Sequence, residues 1–472
     1  MLGTGKRSNA AHGRPGLWRM CFPTRFAVLL CVFTCVLAPS ALILIHIKEN
    51  PKLSPIDEAA HYDYVVRIAN GEFPRLGQRL LPPTLQALSC IGTALYDQTV
   101  PPCGSHAPAS SYTSGGYSYE AQQPPTYYAL TVPIRWMAIH VAGFADLTGT
   151  RLAGVIWLDV GLLLLWMACR IALIDPVRCG AAALLIATAP LVIYSGSYVT
   201  NDAASILAGS LVLFAAALAW KNPGRSSTVL LLCTGLFVAS IKLTNALPVA
   251  AISILFAILL MKDRADDQGG LKSIPKIVRS WLPNGGALLI GGLISVVAWA
   301  AIERKLSIIN PKQLPTLNVL RQGQLGLTTI LRESVSMWTP LTGSYDAFRS
   351  NASAIVPESS ESQNIQLVTA TVLAYLVVAG SLSGMFVRIR KWYHWLGFTS
   401  FATLYLGGLV LGISIWASYN ADPGISGRYG LAMVPLIIVS LVAAARGRFV
   451  VLGLWAWGLL SFGLSIYFML SG

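Results

Sequence analysis

Nothing constrains this chain more than its long apolar runs. Stretches of about 20 residues, the length a helix needs to cross the hydrocarbon core of a bilayer, recur from residue 26 to residue 470. Charged residues make up only 11% of the 472 positions, and 54% are hydrophobic. A soluble domain carries roughly 25% charged residues. So little charge cannot cover a water-exposed globule, and the outer surface must face lipid. The expected fold class is an all-α polytopic membrane bundle.

The apolar runs predict eleven spans, near 26–47, 152–173, 179–197, 203–220, 227–241, 246–261, 284–303, 365–387, 394–416, 429–445 and 449–470. A further apolar stretch, 127–146, contains Arg135 and His140. The positive-inside rule decides how to read it. If 127–146 does not cross, the N-terminal arm and the basic turns at Arg170/Arg178, Lys221/Arg225, Lys262–Arg279, Arg388–Lys391 and Arg446/Arg448 all fall inside. If it crosses, every basic turn after the first span moves outside. The stretch therefore reads as an interfacial helix.

Residues 1–25 form the expected cytoplasmic arm, and 26–472 one transmembrane domain with outer loops at 48–126 and 304–364. The first run is longer than the roughly 7–15 apolar residues of a signal-peptide core, so it is expected to stay as a span. No soluble domain is expected after the last run. The net charge of +14 reflects these inner turns. It lacks the interleaved aromatic and basic residues of a nucleic-acid surface, so a nucleic-acid partner is not expected. No CxxC or HxxxH spacing suggests a structural metal. Cys90 and Cys103 alone fall in the first outer loop, and both the bonded and the free state stay open.

Polar residues of interest collect on the outer side. Asp57, Glu58 and His61 follow the first span, in Pro55-Ile56-Asp57-Glu58-Ala59-Ala60-His61. Asp57 and His61 share a face if helical. Carboxylates there suit general-base chemistry on a hydroxyl, or they simply favour a helix N-terminus. Gln123 precedes Pro124-Pro125-Thr126-Tyr127-Tyr128, an extended entry into the interfacial helix. Asn201 and Asp202 sit in an outer turn and are equally suited to capping the next helix. Lys242 and Arg428, with Tyr429 beside it, lie at outer helix ends; each can meet a lipid phosphate or snorkel. Asp159 lies within a span, where an acid marks either a functional site or a buried partner.

The order of these features resembles the GT-C superfamily of membrane glycosyltransferases, which use polyprenyl-phosphate sugars. It includes protein mannosyltransferases, lipid A aminoarabinose transferases and mycobacterial arabinofuranosyltransferases. The resemblance runs from about residue 50 to 435 and is greatest to a bacterial branch with Pro-x-Asp-Glu-x-x-His. Here Ile56 stands between the proline and the acid pair. The resemblance implies a GT-C-like bundle and transfer of a sugar from a polyprenyl-phosphate donor to a cell-envelope hydroxyl on a glycan, lipid or protein. The transfer takes place at the extracytoplasmic face of the cell membrane and inverts the anomeric carbon. It implies catalytic roles for Asp57, as base, and Glu58. Substrate contacts fall to His61, Gln123, Asp202, Lys242, Arg428 and Tyr429, with Lys242 and Arg428 on the leaving phosphate. A divalent cation held by Asp57, Glu58 or Asp202 is the alternative to these cations alone. Two other functions stay open: a transporter or flippase of a lipid-linked substrate, and a scaffold that binds a lipid-linked sugar without turnover.

Overall fold

The computed structural model describes residues 24–93, 100–266, 276–310, 392–419 and 425–471, with 331, 334, 335, 337, 338 and 372. The candidate span at 365–387, most of the loop 304–364 and most of the arm 1–25 lie outside the described residues. The described chain is helical, and its only β pairing is two isolated bridges, Leu53 with Thr93 and Arg79 with Tyr117.

Helices α1 (Thr24–Val32) and α2 (Ala38–Glu49) join through a widened π-turn at Phe33–Leu37 to make the first span. Pro39, at the start of α2, has no N–H for a carbonyl one turn back, and a widened turn accommodates that loss. The chain then builds a cap from α3 (Glu58–Ala69), α4 (Pro82–Cys90) and α5 (Thr126–His140). Helix α6 (Asp146–Arg151) runs into α7 (Ala153–Ile171) as the next span. Next come α8 (Pro176–Ala187) and α9 (Pro190–Ser197), bent by 65° at a break where Pro190 restarts the helix. The bundle continues with α10 (Ser205–Lys221), α11 (Arg225–Ile241), α12 (Ala246–Asp266) and α13 (Lys276–Leu306). It closes with α14 (Trp392–Tyr419), α15 (Val434–Ala444) and α16 (Arg448–Ser471).

Eight helical segments among the described residues are long and apolar enough to cross a membrane, or nine if the bent α8–α9 pair is one span. With that pair taken as one span, nine of the eleven expected spans are accounted for among the described residues. Helix α11 is apolar but short, at 17 residues, and 365–387 lies outside the described residues. The 127–146 stretch forms α5, which has only 15 residues. At about 1.5 Å per residue it is shorter than the ~30 Å hydrocarbon core. Arg135 of α5 makes a two-pronged pair with Asp146 of α6, Nε–Oδ1 2.6 Å and Nη2–Oδ2 2.5 Å.

Helix α8, rich in small residues, runs through the centre of the bundle with Ala181 to Ala187 fully buried. Small residues let helices approach where lipid offers no hydrophobic driving force. A methyl group on Gly154 would collide with the carbonyl of Gly196, and one on Gly161 with the backbone of Leu207. The outer faces of α13 and α16 expose Ile290, Leu293, Ile294, Val297, Val450, Leu452, Leu459 and Leu460, a surface suited to lipid. Asp159 accepts a 2.7 Å hydrogen bond from Ser40, tying α7 to α2.

A second apolar core lies under the cap. Tyr62, Tyr64 and Val65 of α3 and Tyr127 and Tyr128 of α5 pack there on Trp157, Val199 and Leu207. The Tyr64 and Tyr128 rings stack at 3.7 Å. Asp63 accepts from Arg67 Nε (2.7 Å), Leu81 N (2.6 Å) and Thr84 Oγ1 (3.2 Å), fixing α3 to the start of α4. Cys90 and Cys103 are joined as a disulfide closing a 13-residue separation. These contacts hold the segment after the first span rigidly over the ends of α7, α10 and α11.

Candidate active site

Asp57 immediately precedes α3 in a left-handed backbone conformation, φ 60°. A non-glycine residue pays a conformational cost there, and such strain collects at functional sites. Its side chain makes no capping bond to α3. Instead Oδ2 accepts from Arg428 Nη2 at 2.7 Å and Oδ1 accepts from the Tyr119 hydroxyl at 2.9 Å. Asp57 and Glu58 do stand at the N-terminus of α3, but the Asp57 carboxylate is spent on Arg428 and Tyr119 rather than on the helix.

Asp202 behaves the same way. Thr200, not Asp202, caps the short 3₁₀ helix Asn201–Ala204 by accepting from the Asp202 N–H. The Asp202 carboxylate pairs through Oδ1 with Lys242 Nζ and lies 3.7 Å from Arg428 Nη1 through Oδ2. Lys242 terminates α11 in extended conformation and is buried, so it does not snorkel. Arg428 enters a 3₁₀ helix, Gly427–Met433, where the Ser426 side chain caps by accepting from the Arg428 N–H. The Tyr429 ring lies 5.1 Å from Lys242 Nζ and 5.4 Å from the Arg428 guanidinium.

Two carboxylates and two cations thus form one chain, Asp57–Arg428–Asp202–Lys242, with no net charge. Its inner end is closed, with Lys242 and Asp202 side chains only 3% and 2% exposed. Its outer end is open, with Arg428 and Asp57 at 18% and 25%. A ligand anion arriving from solvent meets Arg428 first. Burial alone would raise the Asp57 carboxyl, but the Arg428 charge, aided by the hydrogen bonds from Arg428 and Tyr119, holds it below the usual range.

Glu58 sits elsewhere, though it adjoins Asp57 in sequence. It is fully buried and accepts four hydrogen bonds: Arg151 Nε (2.7 Å) and Nη2 (2.8 Å), Ser54 N (2.7 Å) and Val199 N (2.9 Å). Those donors fill the lone-pair capacity of a carboxylate. Arg151 also donates to the Asn50 and Lys52 carbonyls. The pair joins the exit of the first span to α6 and to the Asn-Asp turn, which holds Asp57 and Asp202 in register.

His61 Nδ1 is 2.8 Å from the Tyr128 hydroxyl and 3.5 Å from Glu120 Oε2, and Nε2 is 3.4 Å from Thr200 Oγ1. Burial pushes its imidazole down to about 3, so it is neutral at physiological pH. Gln123 receives a hydrogen bond from Tyr64 on its carbonyl, while its Oε1 is buried without a partner among the described residues.

The structure therefore brings Asp57, His61, Asp202, Lys242, Arg428 and Tyr429 to one place and sets Glu58 behind it as a brace. Arg151, Tyr119 and Glu120 were not singled out as site residues from sequence. Glu120 carried a signal, since it opens the segment leading to Gln123-Pro124-Pro125. Arg151 carried little, as a basic residue at a helix boundary. Among the described residues no three His, Cys, Asp or Glu side chains are grouped to hold a metal. In this arrangement Asp57 is paired with Arg428, Asp202 with Lys242 and Glu58 with Arg151.

No protein-family model matches the sequence, and no curated protein matches it. The fold is similar to solved structures of an Archaeoglobus fulgidus oligosaccharyltransferase. With that enzyme, AglB, in complex with an inhibitory peptide and a dolichol-phosphate, identity is 13%, TM-score 0.43, and 95% of this chain and 56% of that chain are covered. With the apo form, identity is 12%, TM-score 0.39 and coverage 94% and 56%. With the form tethered to an acceptor peptide, identity is 14%, TM-score 0.38 and coverage 94% and 55%. The chain spans little more than half the length of these structures.

Proposed function

We propose that this protein is a GT-C-type glycosyltransferase that moves a sugar from a polyprenyl-phosphate donor to a hydroxyl of a cell-envelope acceptor at the extracytoplasmic face. The observation that carries the reading is the open Asp57–Arg428 ion pair backed by the buried Asp202–Lys242 pair. A phosphodiester donor brings one negative charge, which Arg428 receives through its planar fork. That contact competes with Asp57 for the same guanidinium. Asp57, relieved of its partner, becomes the base for the acceptor hydroxyl at the moment the donor is in place.

Attack at the anomeric carbon from the side opposite the phosphate inverts its configuration. Charge then builds on the departing phosphate, and Arg428 with Lys242 behind it stabilises that charge without reorganising. Tyr429 and Gln123 shape the pocket around the sugar. Glu58 acts at a distance, by holding the backbone that presents Asp57. A flippase reading draws on the bent α8–α9 pair, since transporters use broken helices. The residues at that break, Ala187, Ala189 and Leu191, are buried in the main apolar core, and none belongs to the charged chain, which favours transfer.

The test is comparison of envelope glycans and glycolipids in cells with and without the gene, followed by turnover of polyprenyl-phosphate sugars by the purified protein in bilayer discs. Loss of one glycan modification in the deletion and its transfer in vitro are expected. An unchanged envelope and no turnover of any such donor would overturn the reading.

A further inference from the structure

A cavity of about 360 Å³ lies at the end of the bundle opposite the charged chain, between the last turns of α7 and α10 and the facing sides of α12, α14 and α15. Small-ligand sites run from roughly 300 to 1,000 Å³. Helix α10 begins beside Asp202 and ends at Lys221 after 17 residues. At about 1.5 Å per residue, that length sets the mouth of the cavity roughly 25 Å from the Asp202 turn. The cavity is therefore separate from the candidate active site.

The sequence explains the hollow. Ala168 and Ala172 at the end of α7, with Ala216 and Ala217 of α10, carry too little side chain to close it. Buried Ile252 and Phe256 of α12 line the opposite wall. The mouth is different in character. Arg170 and Lys221 both line it and both are exposed, and no acidic residue lines any part of the cavity. Among the described residues neither cation has a carboxylate partner; Arg170 donates through Nη1 to the Ile174 carbonyl at 2.8 Å. Trp220 and Trp392 stand with them, and tryptophan favours the headgroup level of a bilayer. Just past α7 the chain turns through Leu173, which is left-handed at φ 60° and 89% exposed. Helices more often place glycine at such a turn. Leucine costs conformational energy there and sets a large apolar side chain at the mouth. Snorkelling accounts for a lone basic residue at a helix end, but not for two that flank an apolar cavity.

We propose that this cavity holds one acyl chain of an anionic phospholipid from the leaflet opposite the active site, with the lipid phosphate on Arg170 and Lys221. The chain supplies the dispersion contacts that the apolar walls otherwise lack. The guanidinium and ammonium meet the negative charge of the phosphodiester. A zwitterionic lipid offers the same chain but brings its own cation up to Arg170 and Lys221, so the site discriminates by headgroup charge. No residue of the Asp57–Arg428–Asp202–Lys242 chain takes part, and the inference stands independently of the transferase reading.

The test uses the full chain in detergent micelles, with phosphatidylglycerol and phosphatidylcholine of identical acyl chains as probes. Native mass spectrometry reads the lipid retained, and thermal unfolding reads its effect on stability. The wild type should retain phosphatidylglycerol on the order of tenfold over phosphatidylcholine and melt at a higher temperature when it is added. Arg170→Gln combined with Lys221→Gln changes two exposed side chains and should leave the fold intact. It should bring the two lipids within about twofold of each other, because the two charges that attract the headgroup are gone. Ala216→Trp, which fills the cavity, should lower retention of both lipids; where it does not fold, the double charge variant decides alone. Equal retention of the two lipids by the wild type, or an undiminished preference in the double variant, would overturn the proposal. Wild-type retention by a folded Ala216→Trp would overturn it too, by placing the lipid elsewhere. Displacement of phosphatidylglycerol by an equimolar amount of polyprenyl phosphate would also sink it, and would make the cavity a polyprenyl site.

Discussion

Arg428 Nη2 donates to Asp57 Oδ2 at 2.7 Å across 371 residues of sequence. The two ends of the transmembrane domain thus meet in one ion pair at the mouth of the site. If the donor phosphate takes Arg428 and thereby frees Asp57, the two residues must fail differently. Asp57→Asn should abolish transfer while leaving membrane insertion and donor binding near normal. Arg428→Ala should weaken donor binding and lower kcat on the order of 10²–10³-fold. Steady-state kinetics with donor titration checks this; unchanged donor KM and kcat in Arg428→Ala would remove it from the phosphate.

Lys242 and Asp202 are both buried, so removing Lys242 leaves the Asp202 carboxylate with only its longer 3.7 Å contact to Arg428. Lys242→Ala alone should destabilise the protein more than Lys242→Met combined with Asp202→Asn. Breaking a buried pair costs about 3–5 kcal/mol, whereas replacing both partners is far milder. Thermal unfolding in detergent of the single and double variants measures this. Transfer should be lost in both, since the charge behind Arg428 is gone.

The Glu58–Arg151 brace predicts loss of fold before loss of chemistry. Arg151→Ala leaves a fully buried carboxylate with no cation and should destabilise by about 3–5 kcal/mol. Glu58→Gln keeps the shape and some hydrogen bonds, so at permissive temperature it should retain part of the activity. A Glu58→Gln variant that folds fully and is wholly inactive would instead make Glu58 part of the chemistry.

Stability should carry the signature of Glu120. Its folded-state pKa is raised from an ordinary 4.5 to about 8, so the folded protein binds that proton more tightly than the unfolded chain. The contribution is complete below pH 4.5 and is lost as pH rises towards 8. Melting temperature should therefore decline over that window, and Glu120→Gln should flatten the decline. Asp57, held below its usual range, acts oppositely, with stability lost only as pH falls into the acid range.

Topology gives a prediction free of chemistry. If α5 lies along the interface, a cysteine in place of the exposed Phe144, just after α5, should react with an impermeant thiol reagent from the extracytoplasmic side. Labelling confined to the cytoplasmic side would mean that the basic turns face the other way.

Much of the site was legible because its elements carry local chemical signatures. An acid pair after an apolar run, a Pro-Pro entry to a helix, and an arginine at a helix start each announce themselves within a few residues. Roles were less legible. Asp57 and Glu58 are neighbours with the same functional group, yet one opens on the pocket and the other is closed behind Arg151. The reason is the left-handed turn at Asp57, which sends successive side chains to opposite sides. Glu120 looked like part of a turn because its character comes from burial beside His61 and Asp57, and neither is near it in sequence.

The sequence alone determined that this chain lives in a membrane, because apolar runs of span length and scarce charge leave no other solvent for its surface. It determined which residues stand at helix ends, because turn residues and prolines interrupt the runs there. Only the tertiary structure decided which charge faces which. That pairing depends on long-range packing of α3, α10, α11 and the Gly427–Met433 turn. In a poorly solvating interior a charge takes its properties from whatever partner packing supplies.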